Sequence, residues 1–251
     1  MAINEQKQGS NDYWKGISMK KAAFLMAVIL GAGPVVADLT VVQKIEPNIN
    51  SDKASAISMT IRIKGSKARL DFKPETHSSV IDMQNDKIYL IDHSMKQVMV
   101  MPLAQMKAAM AMAGQAMAGK TEKKSLQKTG KTKTINGFQC NEYTGVPGGA
   151  GISRMTCWMA ENVDTKEMEP FREFAMNSAK VMGMDSMVQL KGMLIASETE
   201  MTFQGENSLS RLEVQSISRD AINDAIFAIP AGYRIMELPN IPQLGAQKAP
   251  A

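Results

Sequence analysis

"SAISMTIRIKGSKARLDFKPETHSSVIDMQNDKIYLIDHSMKQVMVMPL", residues 55–103, alternates apolar and polar residues between closely spaced turn signals. Its opening run places Ile57, Met59, Ile61 and Ile63 on one face and Ser58, Thr60, Arg62 and Lys64 on the other. Such alternation marks a half-buried antiparallel strand, because successive side chains of a strand point to opposite faces. Gly65-Ser66 turns the chain into KARLDFK, Asn85-Asp86 separates SSVIDMQ from KIYLID, and His93-Ser94 leads to KQVMVMPL. With LTVVQKI (39–45) ahead of it, the region reads as a meander of short strands with regularly spaced turns.

At Pro102 the period changes from two to that of a helix. In PLAQMKAAMAMAGQAMAG the residues Leu103, Met106, Met110, Ala113 and Met117 share one face, while Met112 lies on the other side. The lysine-rich run GKTEKKSLQKTGKTK (119–133) reads as a solvated loop. A second helix is expected from near Thr165, with Pro170 weakening its first turn and Phe171, Phe174, Ala175, Ser178 and Met182 forming its apolar stripe. Three further strands, LKGMLIASETEMTFQ, LSRLEVQSISR and AIFAIPAGYRIM, precede a loose Pro- and Ala-rich tail at 239–251, and Gly232 is expected at a positive-φ turn. A twisted sheet of about nine to eleven strands must curl, and helices covering its concave face would seal an apolar interior. The expected fold is therefore mainly β (α+β), a strongly curved antiparallel sheet or open half-barrel covered by two helices.

Cys140 and Cys157 stand symmetrically about Gly148-Gly149. A two-residue turn at Gly-Gly would set them opposite each other on paired strands, and a four-residue loop would do the same. Their separation differs from the close Cys-x-x-Cys spacing of redox pairs, so a structural disulfide is expected. A disulfide requires an oxidising compartment. MKKAAFLMAVILGAGPVVADL, starting at Met19, has the basic start, short apolar run and small residues of a secretory signal, with cleavage expected between Ala37 and Asp38. The apolar run is too short to cross a bilayer comfortably, where about 20 residues are needed. The expected organisation is an over-extended start at 1–18, a signal peptide at 19–37, one domain at 38–238 and the tail. The expected location is the periplasm, with full secretion as the alternative and no stable membrane span once the signal is removed.

Composition narrows the function. The 29 basic and 25 acidic residues leave a net charge of +4, without the strong basic patch that nucleic-acid binding needs. Only two histidines, His77 and His93, could act as imidazole bases, and Asp92-His93-Ser94 in succession is not how a triad is built in space. No nucleophile elbow, zinc-protease motif or phosphate-binding glycine loop occurs, so the chain is read as non-enzymatic and as needing no cofactor. Methionine stands out, at 22 of 251 residues. Methionine adapts to ligands of varied shape, so Leu103, Met106, Met110, Met117, Phe171, Phe174 and Met182 are the candidate lining of a cavity for a lipophilic small molecule or acyl chain. The rival readings are a copper-type soft-metal protein using Met99/Met101, Met110/Met112 or Met182/Met184, and a structural envelope accessory protein with a closed core. On a helix, Met110 and Met112 would point about 200° apart, which counts against a shared ion there. An envelope protein partner is a further expectation.

The run KTKTINGFQCNEY, the later CWMA, and the ending DAIFAIPAGYRIM resemble a family of exported bacterial proteins of unknown function related to the LolA-like lipoprotein carriers. KIYLIDHSMKQVMVMPL fits the same pattern, and the similarity covers about residues 38–238. The resemblance implies a single LolA-like domain: a half-open antiparallel barrel with helices over its mouth, holding a lipid-like ligand.

Overall fold

The alternating runs become strands β1 (Leu39–Glu46), β2 (Ile57–Lys64), β3 (Lys67–Lys73), β4 (His77–Asp82), β5 (Lys87–Asp92) and β6 (Gln97–Pro102). Further on come β7 (Lys124–Ile135), β8 (Phe138–Val146), β9 (Ile152–Ala160), β10 (Met193–Phe203), β11 (Glu206–Ser218) and β12 (Arg234–Glu237). The computed structural model describes residues 38–47, 55–74, 76–108, 124–147, 152–181, 185–203 and 206–237. The segments expected as start, signal and tail, together with Met110, Met112, Met117, Met182 and Met184, fall outside these residues, apart from Asp38 itself.

The strands form one sheet in the order β12-β6-β5-β4-β3-β2-β1-β11-β10-β9-β8-β7. This is twelve strands rather than nine to eleven, and the order ends at β12 and β7 without closing. β1 lies mid-sheet, between β2 and β11, so the two meanders are joined by the first strand of the domain. All described pairs are antiparallel except β12 against β6. The described residues belong to one compact unit.

The helices begin later than the sequence pattern suggests. Pro102 ends β6 rather than opening a helix, and the helical residues that follow, α1, are described over 103–108. The second helix is split: Lys166–Phe171 is a 3-10 turn with Pro170 inside it, and α2 (Arg172–Val181) follows. Proline has no N–H to donate and its ring clashes with the carbonyl four residues back, so the α-helix starts only beyond it. A one-turn helix, α3 (Asp185–Val188), completes the described set.

Two other expectations are corrected. The lysine run is not a loop from Lys124 onward but the edge strand β7, paired with β8. Lysines on an edge strand oppose pairing with another chain, which is compatible with strand structure. AIFAIPAGYRIM is not one strand: Asp224–Phe227 is a 3-10 turn, Gly232 takes φ +78° as expected, and only Arg234–Glu237 joins the sheet.

The cysteines are free, not bridged. The observed register pairs Tyr143 with Cys157 and Asn141 with Met159, so it is symmetric about position 150 and not about Gly148-Gly149. Cys140 is three residues from Tyr143, an odd offset that turns its side chain to the opposite face from Cys157. Accordingly Cys157 packs with Leu126, Met155 and Met159, whereas Cys140 packs in the cluster of Ile135, Ala160 and Ile195. Burial pushes both thiols up, Cys157 to about 12, so neither is a ready nucleophile.

Candidate ligand-binding face

Strand alternation fixes what each face presents. Across β6 to β1 the pairings Met101–Ile88, Ile81–Ala68 and Ile63–Leu39 run as one apolar row, buried except for the half-buried Ile81. Leu103 of α1 and Phe174 of α2 cluster with Ile88 and Met101, while Phe171 clusters with Leu39, Ile63 and Ala68. This face is therefore the one that the helices cover.

One step along the strands the picture changes. Met99–Leu90, Leu70–Ile61 and Phe72–Met59 form the next rows of the same face, and all six side chains are only half-buried. Ile57–Ile45–Leu212 continues this band, likewise half-buried. The helix-covered face thus has a sealed row beside a partly exposed apolar band rich in flexible Met and large aliphatic side chains. Two polar residues interrupt it: Ser79 of β4, half-buried between Leu90 and Leu70, and Gln43, between Met59 and Val214 and 9% exposed.

The opposite face is closed differently. Val80, Ile91, Val98 and Val100 are buried under Ile222 and Phe227, with Ile226, Ile229 and Tyr233 packed alongside. A polar network locks this C-terminal segment down. Arg62 and Arg69 donate to Asp71 at 2.6 and 2.8 Å, and Arg69 also reaches the Ile226 carbonyl at 2.6 Å. Ser78 Oγ donates to Asp71 at 2.7 Å, so His93 Nε2, 2.7 Å from that hydroxyl, donates to it, and His93 Nδ1 lies 3.0 Å from the Tyr233 hydroxyl. Partial burial disfavours ionised Asp71, but the hydrogen bonds from Ser78 and Arg69 and the charges of Arg69 and Arg62 outweigh it and hold the carboxyl below its usual value. In a hydrolytic triad the histidine takes the serine proton and the aspartate holds the histidine. Here the aspartate holds the serine proton, so the group positions a chain segment rather than arming a nucleophile. Asp92 accepts from Ser94 Oγ and the Met95 N–H within its own turn, so Asp92-His93-Ser94 splits between two structural tasks.

Of the residues expected to line a cavity, Leu103, Met106 and Phe174 meet in one cluster and Phe171 enters the adjoining one. They seal the buried row; the half-buried band beside them comes from strands. Alternation marks which face is apolar, but not which rows the helices leave half-buried. Gln43 did carry a signal, as the polar residue on the apolar phase of Leu39, Val41 and Ile45. Met99 pairs with Leu90 and packs with Met101 among Ile88, Leu103 and Phe174, a wall of carbon rather than a set of metal donors. No group of three or more His, Cys, Asp or Glu side chains suited to a metal occurs among the described residues.

An open groove of about 430 Å³ lies elsewhere, lined by Lys44, Glu46, Lys133, Trp158, Arg211 and Glu213 among others. Its charges are largely used up internally: Lys44 pairs with Glu46 at 2.7 Å, Arg211 with Glu198 at 2.8 Å, and Asn136 donates to Glu213 at 2.9 Å. Asn136 also donates to the Val214 carbonyl at 2.8 Å, and with Gly137 it provides the two positive-φ residues of the β7–β8 turn. No helix among the described residues is long and apolar enough to cross a membrane, which says nothing about strands.

Comparison with known proteins gives one family match: the model "Domain of unknown function (DUF4412)" covers residues 44–233. No curated protein matches. Among solved structures, the chain is similar to an uncharacterised conserved protein from Thermus thermophilus, at 10% identity and a TM-score of 0.47, over 80% of this chain and 91% of that one. It is also similar to the Pseudomonas aeruginosa MucA/MucB complex structure, at 10% identity and 0.43, covering 81% of this chain and 59% of that one. A third is a Vibrio parahaemolyticus domain described as an outer membrane lipoprotein-sorting protein, at 11% identity and 0.30, over 76% and 89%. Likenesses this distant carry no functional argument.

Proposed function

The chain belongs to the DUF4412 family, and we propose that it is a periplasmic, non-enzymatic protein that holds a lipophilic ligand with an acyl chain against the helix-covered face. The observation that carries this reading is the half-buried band of Met59, Ile61, Leu70, Phe72, Leu90 and Met99, continuous with a row that is buried apart from Ile81. An alkyl chain laid along that band would remove further apolar surface from water, at about 25 cal/mol per Å². Unbranched methionine side chains re-pack around chains of different length at little cost. Leu103, Met106 and Phe174 would form the wall at the sealed edge.

Residues 19–37 act in this reading as an export signal removed after Ala37, leaving a domain over 38–238. The arrangement at Asp38 supports that boundary: its carboxylate accepts the Ile222 N–H at 2.6 Å and lies 3.8 Å from Lys64 Nζ. N-terminal sequencing of protein released by osmotic shock should begin at Asp38; a chain that still starts at Met1 or Met19 counts against export by cleavage.

Ligand binding is tested by displacement of the fluorescent probe N-phenyl-1-naphthylamine. Probe fluorescence should rise on mixing with the protein and fall on titration with lipids carrying one C18 chain. Absence of both responses would remove the proposal.

A further inference from the structure

Gln43 is the feature of the helix-covered face that an ordinary core does not account for. It is 9% exposed, and its side-chain oxygen Oε1 has no hydrogen-bond partner among the described residues. Register places it beside Met59 on β2 and Val214 on β11, with Val41–Ile61 and Ile45–Ile57 in the rows on either side. Buried side-chain carbonyls are nearly always paired, so one aimed among methyl and methylene groups calls for a donor from elsewhere. The charge around it restricts what that donor belongs to. Lys44 and Glu46, its charged neighbours on β1, lie on the other phase of the strand and pair with each other at 2.7 Å. No charged side chain on β1 shares its face, so a phosphate or ionised carboxylate would find no counter-charge from this strand.

We propose that Gln43 Oε1 accepts a hydrogen bond from the head of the bound lipid, and that the ligand is a neutral single-chain amphiphile whose head carries an O–H donor close to the chain. This rests on the reading of the face as a lipophilic-ligand site and names the part of the ligand that the site selects. The acyl chain lies along Met59, Phe72 and Leu70, and the hydroxyl sits at the Gln43 amide. A head that can only accept bonds to the amide N–H leaves Oε1 unpaired.

The test compares 1-monooleoylglycerol with methyl oleate, which has the same chain and no donor, by calorimetric titration of the full chain and of its Gln43→Met variant. The wild type should bind the glycerol ester about tenfold more tightly, and Q43M should bind the two esters with equal affinity. Equal affinities in the wild type would overturn the inference but leave the lipid-binding reading standing, and would assign the amide's partner to water. Failure of the wild type to bind either lipid would overturn both. The wild-type comparison decides the matter even if the variant does not fold.

Discussion

The two faces of the sheet solve the same problem in opposite ways. Both bury apolar rows, but the face under Ile222 and Phe227 is finished with a specific polar lock, Arg62–Asp71–Ser78–His93–Tyr233. The helix-covered face is sealed along one row and left half-buried along the next, with adaptable side chains and an amide oxygen that has no partner among the described residues. A face that is locked contributes stability; a face that is incompletely packed gives up stability and keeps room for something else. Function here is better sought in what the fold leaves unsatisfied than in the residues with the most partners.

The comparison breaks first if the locked face proves dispensable. Phe227→Ala removes a buried aromatic anchor and should cost about 3–5 kcal/mol in urea unfolding. A loss below about 1 kcal/mol would show that the C-terminal segment is not integral to the fold.

Asp71→Asn should follow, at about 2 kcal/mol near neutral pH, because Arg62 and Arg69 lose their counter-charge and one of the two acceptor oxygens becomes an amide donor. The cost should depend on pH with a definite sign. Asp71 titrates below its usual 3.8 when folded, so its contribution is complete above that value and disappears as the pH falls through the depressed one. Thermal melts between pH 7 and pH 2 should therefore bring variant and wild type together in acid. Parallel profiles would remove Asp71 from the lock.

Phe72→Ser sharpens the contrast on the other side. The residue is half-buried, so the stability loss should be only about 1 kcal/mol, while probe and lipid affinity fall about tenfold. A large stability loss with unchanged binding would make the band ordinary core.

The smallest expected effect concerns the thiols. Dithiothreitol should leave the melting temperature unchanged, and urea-unfolded protein should titrate two thiols without reductant, because Cys140 and Cys157 lie on opposite faces. Zero titratable thiols would mean that the β8–β9 register is shifted by three in solution.

Much of this fold was legible in the chain. Alternation at Ile57–Ile63 and turn residues such as Gly65-Ser66 encode β2–β6 locally, so their faces can be read directly. The β8–β9 register could not be read in the same way. Gly148-Gly149 proposes one centre of symmetry, but the pairing is decided by which face of β9 meets Leu126, Tyr143 and the segment around Met187, contacts remote in sequence. The helical stripes identified Leu103, Met106, Phe171 and Phe174 as apolar-facing, yet the band beside them arises from rows assembled across β1–β6. No single segment contains that row. The ending Phe227–Tyr233 reads as a family-like motif, and its role became clear only when Tyr233 met His93, 140 residues away in the chain.

The central question is whether the half-buried band takes a lipid. Native mass spectrometry of the protein released gently from the periplasm measures this directly. A bound mass in the range of a neutral single-chain lipid is expected, lost in Phe72→Ser and restored to the wild-type apoprotein by 1-monooleoylglycerol. A spectrum showing only the bare chain, unchanged after incubation with that lipid, would contradict this expectation.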